Sequence, residues 1–118
     1  MSKPEIFDQA IPQETIQRLA DDEFGNMVKF VVDIERKLIC AGGGLHADEE
    51  SILLEKGSQQ SDLWGANFYL DRPVEKRLAY TSMINIRPGD GNTKQEITLP
   101  EIRSKVAELA AYFFQAFR

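Results

Sequence analysis

Hydrophobic residues recur along this chain with two different periods, and the change from one period to the other predicts its elements. Spacings of three and four residues predict helices over 12–24 and 47–56 and a last helix beginning near 98. Alternation at every second residue predicts strands over 27–34, 37–42, 63–70 and 78–87. The resulting order is helix, hairpin, helix, hairpin, helix. It predicts an α+β domain with a four-stranded, mainly antiparallel sheet and helices packed on one face.

The last helix carries the clearest amphipathic pattern. Thr98 and Glu101 fit a capping box, in which each side chain accepts a hydrogen bond from a free backbone N–H of the first turn. One face of the helix is predicted to be buried against the sheet, and it comprises Ile102, Val106, Leu109 and Phe113.

Three further aromatic residues crowd the end of the same helix, namely Tyr112, Phe114 and Phe117. One apolar stripe cannot cover all of them, so the sequence predicts that some aromatic surface stays exposed. Exposed aromatic patches often mark interfaces, and the sequence therefore predicts a homodimer.

Composition restricts the class of protein. The chain has 118 residues, which is the size of one domain, so residues 1–118 are predicted to form a single globular unit. Its net charge of −5 opposes binding to nucleic acids and to anionic membranes. The single cysteine, Cys40, lies in an apolar run and permits no internal disulfide. No apolar run has membrane-spanning length and no leader-like segment opens the chain, so a cytoplasmic location is expected.

Residues 41–50 form the most unusual stretch, because it combines three consecutive glycines, the only histidine and three acids. In an extended segment, His46, Asp48 and Glu50 would share one face and could bind zinc, manganese or iron. Alternatively, Asp48 caps a helix and the acids favour its positive N-terminal end, in which case the three side chains diverge. The helix is the favoured interpretation, and no metal is predicted.

A second group of polar residues lies on the predicted second hairpin. Asn67, Asn85 and Arg87 occupy alternate strand positions, so pairing in register would align them, and Arg87 could hold an anion. We expect His46 to lie near this face, so that residues 42–50 and 84–92 build one concave site. A cation beside the histidine would lower its pKa. Asp33 is a further candidate, paired with Lys29 or His46, or else solvated. A solvent-exposed sheet face is the simpler alternative.

Three segments of the chain resemble the signature segments of a known family. They are GGGLHAD (42–48), GSQQSDLWG (57–65) and INIRPGDGN (84–92). The family comprises small prokaryotic proteins catalogued as a domain of unknown function. The resemblance implies a stand-alone cytosolic domain, and it implies no activity, cofactor or partner.

Two classes of function fit these observations. One is a binding or assembly module that uses the polar site around residues 42–50 and 84–92. The other is a small metal-assisted hydrolase, in which His46 acts with Asp33, Asp48 or Glu50 and Arg87 clamps an anion. The sequence identifies no cofactor and no small-molecule ligand.

Overall fold

Strands form where side chains alternate most regularly and helices where the apolar spacing is three and four residues. A computed structural model describes residues 3–117. Its strands are β1 (Glu5–Phe7), β2 (Met27–Asp33), β3 (Leu38–Ala41), β4 (Leu63–Tyr69) and β5 (Leu78–Ala79). Its helices are α1 (Gln13–Glu23), α2 (His46–Glu55) and α3 (Pro100–Phe113). The sheet has the order β1-β3-β2-β4-β5, and each neighbouring pair is antiparallel. The α+β class is confirmed.

The helices cover both faces of the sheet, not one face as the sequence predicted. Phe30 of β2 and Trp64 of β4 belong to the larger core, which α1 and α3 complete. Val31 of β2 points the other way and packs with Leu53 of α2 in a smaller core. Phe30 and Val31 are consecutive residues that point to opposite faces of β2, and both are fully buried. The sheet must therefore be covered on each face.

The sheet has five strands where four were predicted. The additional strand, β1, lies in the N-terminal segment and pairs with β3 at one edge. At the opposite edge, the predicted strand over 78–87 is wrong in its extent, because β5 ends at Ala79. Short 3₁₀ turns at Met83–Asn85 and Pro88–Asp90 follow instead.

Side chains replace the missing part of that strand along the free edge of β4. Asn85 is fully buried and binds Gly65 as a neighbouring strand would: its Oδ1 accepts from the Gly65 N–H at 2.9 Å, and its Nδ2 donates to the Gly65 carbonyl at 2.9 Å. Leu63 lies two residues before Gly65 on β4, and its carbonyl accepts a hydrogen bond from Arg87 at 2.6 Å. Two side chains therefore satisfy backbone groups that would otherwise lack partners.

The loop that supplies Asn85 is itself organised by Asn92. This residue is fully buried, and its Nδ2 donates to the carbonyls of Asn85, Lys94 and Glu96. Its Oδ1 accepts from both the N–H and the hydroxyl of Thr98. The predicted capping box is therefore wrong. Thr98 serves the loop, and α3 begins at Pro100 without a side-chain cap.

The stripe along α3 is placed largely as predicted. Val106 and Phe113 are buried, while Ile102 and Leu109 are half-buried against the larger core. Phe114 is also buried and stacks on Phe68 with ring centroids 4.3 Å apart.

No helix within residues 3–117 has the length and hydrophobicity that crossing a membrane requires.

We predict that Asn85→Ala lowers the free energy of unfolding by about 2–4 kcal/mol, because it leaves buried backbone groups without partners. Asn85→Asp is expected to cost at least as much at neutral pH. It keeps an acceptor for the Gly65 N–H, but it turns a second oxygen toward the carbonyls of Gly65 and Gln95. Urea unfolding measures both. Asn26→Ala, at an exposed position, is the control, and an aspartate variant as stable as the wild type would contradict the strand-replacing role.

Candidate functional site

A cavity of about 390 Å³ opens on the smaller-core face of the sheet, where the first turn of α2 approaches β2 and β4. Lys29 and Asn67 are cross-strand neighbours on β2 and β4, and both line it. His46 lies at the start of α2, and Ser82 and Gln95 come from the loop beyond β5. Two strongly exposed apolar residues, Leu45 and Met83, also line it. Polar groups beside apolar walls are typical of small-molecule sites.

His46 is held against the sheet by a hydrogen bond to the backbone. Its ring is 8% exposed, and its Nε2 lies 2.8 Å from the Ala66 carbonyl oxygen. Because a carbonyl only accepts, Nε2 must carry the hydrogen, and in the neutral ring Nδ1 is then an acceptor. The structure places this sequence candidate at the cavity wall.

Gly65 makes this approach possible. A Cβ at this position would lie 2.7 Å from the Ser82 Cβ and 3.1 Å from the His46 Cδ2. Both side chains therefore occupy the volume that any other residue on this face of β4 would fill. The glycine is a structural requirement of the cavity.

The His46 ring is neutral at physiological pH. Its pKa is lowered from 6.5 to about 4, chiefly by burial and in part by the positive charge of Lys29, while the hydrogen bond to Ala66 and the nearby Asn67 side chain act in the opposite direction. The lowering by a nearby cation was expected from the sequence, but the cation is Lys29 and not Arg87. Burial is the larger cause.

Asn67 has an acceptor with no donor. The residue is 7% exposed, and its Nδ2 donates to the Thr81 carbonyl at 3.3 Å. Its Oδ1 is buried and has no hydrogen-bond partner among residues 3–117. A protonated His46 would donate to it, but the neutral ring has its hydrogen on Nε2 and bonds Ala66 instead. A buried acceptor without a donor is unfavourable, so this oxygen is a ready contact for a ligand.

Lys29 brings a positive charge to the same cavity. No carboxylate in the described part of the chain lies within ion-pair distance of its ammonium, which lies 5.4 Å from the centre of the Phe24 ring. Asn67 is its Cα register partner across β2 and β4, and the Lys29 charge is close enough to His46 to contribute to lowering the pKa of that ring. Lys29 is not among the candidate site residues predicted from the sequence, although it shares strand parity with Asp33.

Glu49 is a second residue that the sequence analysis missed. It is fully buried on α2, one turn after His46, and its Oε2 accepts from the Gly43 N–H at 2.9 Å. A Cβ on Gly43 would lie 3.3 Å from that oxygen, so the glycine run allows the contact. Burial raises the pKa of Glu49 well above its usual value, which favours the neutral acid.

The other acids named from the sequence lie away from the cavity lining. Asp33 is buried at the far end of β2, where it accepts from the Glu35 and Arg36 N–H groups and from the Ser58 hydroxyl at 2.6 Å. It therefore stabilises the turn after β2. Asp48 and Glu50 lie in α2, and Asp48 is exposed.

The helical conformation also separates the three candidate metal ligands. Successive residues of a helix differ by 100°, so Asp48 diverges from His46 and Glu50, and the extended arrangement is wrong. Across residues 3–117, no group of three or more histidine, cysteine, aspartate or glutamate side chains is placed to hold a metal ion.

Asn85 and Arg87 belong to the sheet edge. Besides its bond to Leu63, Arg87 donates to the Gln60 carbonyl and stacks on Trp64, with the guanidinium carbon 3.7 Å from the ring centre. Neither residue lines the cavity. The structure thus places His46 and Asn67 together and assigns the other two polar residues to backbone contacts.

Fold and cavity define a small α+β domain with a polar site between its second helix and its sheet. Residues 5–113 match the model of the family described as "Protein of unknown function (DUF5674)". The chain belongs to this family. Comparison with curated proteins and with solved structures gives no match.

We predict a pH-dependent stability that originates in His46. As pH falls from 6.5 to about 4, His46 binds a proton in the unfolded chain but not in the folded protein, so the free energy of unfolding falls. The lowered pKa corresponds to a loss of about 3 kcal/mol, complete below the folded pKa. Urea unfolding at several pH values compares the wild type with His46→Gln, which keeps a donor for Ala66 but does not titrate. Carboxylates contribute equally to the pH dependence of both proteins, so the two stability curves should differ only by the contribution of His46. Parallel curves would contradict the assignment of this pH dependence to His46.

Proposed function

We propose that the protein is a binding module whose small-molecule site is the His46 cavity. The observation that carries the proposal is the Oδ1 of Asn67, a buried acceptor that has no donor among residues 3–117. Asn67 lines a cavity that Lys29 also lines, and the Lys29 ammonium has no ion-pair partner in the same part of the chain. Asn85 and Asn92, whose roles are structural, have both ends of their side-chain amides hydrogen-bonded. The cavity volume of about 390 Å³ suits a small organic molecule.

The metal-assisted hydrolase has less support. A neutral His46 can act as a base, but Asp33 and Arg87 are engaged by backbone groups, and Asp48 is exposed away from the cavity. Glu50 also lies outside the cavity lining, so none of the carboxylates named in this hypothesis lines the cavity with His46. We therefore retain binding as the function that the geometry supports best.

The binding proposal predicts that polar fragments perturb one patch of the amide spectrum. In a fragment screen by ¹H–¹⁵N NMR, compounds that bind should shift the amides of Lys29, His46, Asn67 and Ser82 together. Ala47→Phe should abolish these shifts, because Ala47 is exposed and lines the cavity, so the ring would obstruct it.

The matched control is Ser51→Phe, one helical turn further along α2. Ser51 is exposed but does not line the cavity, so this variant should bind as the wild type does. Failure of a diverse fragment set to shift these amides in the wild type would overturn the proposal. Equal loss in both phenylalanine variants would show that the effect is not local.

A homodimer remains a separate proposal for the surface of α3. Phe114 is buried and Phe117 half-buried, so Tyr112, at 41% exposure, is the aromatic residue of this group left at the surface. Apolar side chains of α3 and the β5 edge also form a groove of about 250 Å³. These features support an interface between two copies.

The dimer is tested by light scattering on a size-exclusion column at tens of micromolar protein. The wild type should elute with a dimer mass, and Ala111→Glu, at an exposed position in the groove, should give a monomer. Ser104→Glu is the control, because it is exposed on α3 outside the groove. A monomer mass for the wild type would contradict the proposal.

We also propose that the protein works in the cytoplasm of a prokaryote and binds neither nucleic acids nor membranes. The net charge of −5 and the single, buried Cys40 support this. Fractionation of native cells tests the location, and recovery with membranes or nucleoid would contradict it.

A further inference from the structure

We propose that the ligand of the His46 cavity is a small carboxylic acid that carries a neutral hydroxyl or amide N–H on the carbon next to its carboxylate. The inference rests on the proposed function and specifies the chemistry that the site would recognise. It follows from which donors and acceptors the cavity presents, and from where they lie.

The anionic part of the ligand has two favourable contacts. Lys29 contributes an ammonium with no ion-pair partner in the described residues. The first turn of α2 contributes the second contact, since His46 and Ala47 line the cavity and the helix has no side-chain cap. An uncapped helix start favours negative charge. Of the acids in that turn, Asp48 does not line the cavity and Glu49 is buried behind it, bonded to Gly43.

The neutral part of the ligand must donate a hydrogen. The Oδ1 of Asn67 has no hydrogen-bond partner within residues 3–117, and Asn67 is more than nine-tenths buried, with 7% of its surface exposed. The Nδ1 of His46 is an acceptor as well, because Nε2 carries the hydrogen that bonds Ala66. Lys29 and Asn67 are register partners and both line the cavity, so we place the anion and the donor of the ligand on neighbouring carbons. An ammonium donor would be repelled by Lys29, so a hydroxyl or amide N–H is favoured.

A phosphate suits the cavity less well than a carboxylate. A phosphate monoester carries a charge of about −1.5 to −2 at neutral pH and three acceptor oxygens. The cavity lining offers one lysine and no arginine, and its two acceptors would face the additional oxygens. The apolar side chains of Leu45, Met83 and Ile84 suit a short hydrocarbon substituent.

Three matched compounds test the ligand class. They are 2-hydroxy-3-methylbutanoate, 3-methylbutanoate, which lacks the hydroxyl, and 2-hydroxy-3-methylbutanamide, which lacks the charge. We expect the hydroxy acid to bind the wild type at least about tenfold more tightly than either analogue, since each analogue lacks one charged or neutral hydrogen-bonded contact. Dissociation constants come from NMR titration of the amides at the cavity.

Two variants assign each contact to its residue. Lys29→Met should lower the affinity for the hydroxy acid to that for the amide, and it should leave the affinity for the amide unchanged. Asn67→Leu should lower the affinity for the hydroxy acid to that for 3-methylbutanoate, and it should leave the affinity for 3-methylbutanoate unchanged. A merely structural effect of either substitution would weaken all three compounds alike. If Asn67→Leu does not fold, the comparison of the compounds on the wild type still decides the class.

The outcomes separate this inference from the proposed function. Equal affinities for the three compounds at the cavity would overturn the ligand class and leave the cavity as a binding site. The same holds if other fragments bind there and none of these three does. If no fragment binds at the cavity, both the ligand class and the proposed function are overturned.

Discussion

The edge of β4 imposes the constraint on which the rest of this structure depends. A buried strand must have partners for its backbone groups on both sides, and β5 supplies them only near Asn67. Beyond that point the chain leaves the sheet, and the side chains of Asn85 and Arg87 bind the exposed backbone groups of β4. The loop that delivers them is pinned by Asn92. Satisfying one edge therefore fixes the whole segment between β5 and α3.

The same constraint builds the cavity wall. Once the loop is anchored to the edge, Ser82 lies against the face of β4 at Gly65, beside the ring of His46. Gly65 thus meets two requirements at once: its backbone bonds Asn85 in the plane of the sheet, and its missing side chain makes room above the plane. The cavity and the edge are parts of one arrangement, so a change at Gly65 is expected to affect both.

The sequence predicts β2 and β4 well because their alternation is regular and long. It overextends the last strand, because residues 80–87 alternate without pairing with β4. Ile84 packs on the smaller core from a 3₁₀ turn. Covering of both sheet faces has a visible signal in Val31, an apolar residue that alternates with Phe30 and Val32 and shares its face of β2 with Lys29 and Asp33. Helices on one face alone would leave Val31 exposed, so α2 must lie on the other face.

Only some of the residues at the cavity could be selected from the sequence, and the reason is again physical. His46 and Asn67 stand out by residue type, and both line the cavity. Lys29 does not stand out, because its importance depends on a register with Asn67 that no pattern within one strand reveals. Glu49 was passed over in favour of its neighbours, since only the rotation of α2 decides which acid of the run faces the sheet.

The buried asparagines of this protein differ in how completely their side-chain amides are hydrogen-bonded. Asn85 and Asn92 use both ends of their amides on backbone groups, so neither has capacity left for a ligand. Asn67 uses only its nitrogen, and its buried oxygen has no donor among residues 3–117. An apolar side chain of similar size would remove the desolvation cost of such an oxygen, so stability alone gives no reason to retain it. The unsatisfied acceptor therefore supports the proposed binding site at the cavity that Asn67 lines.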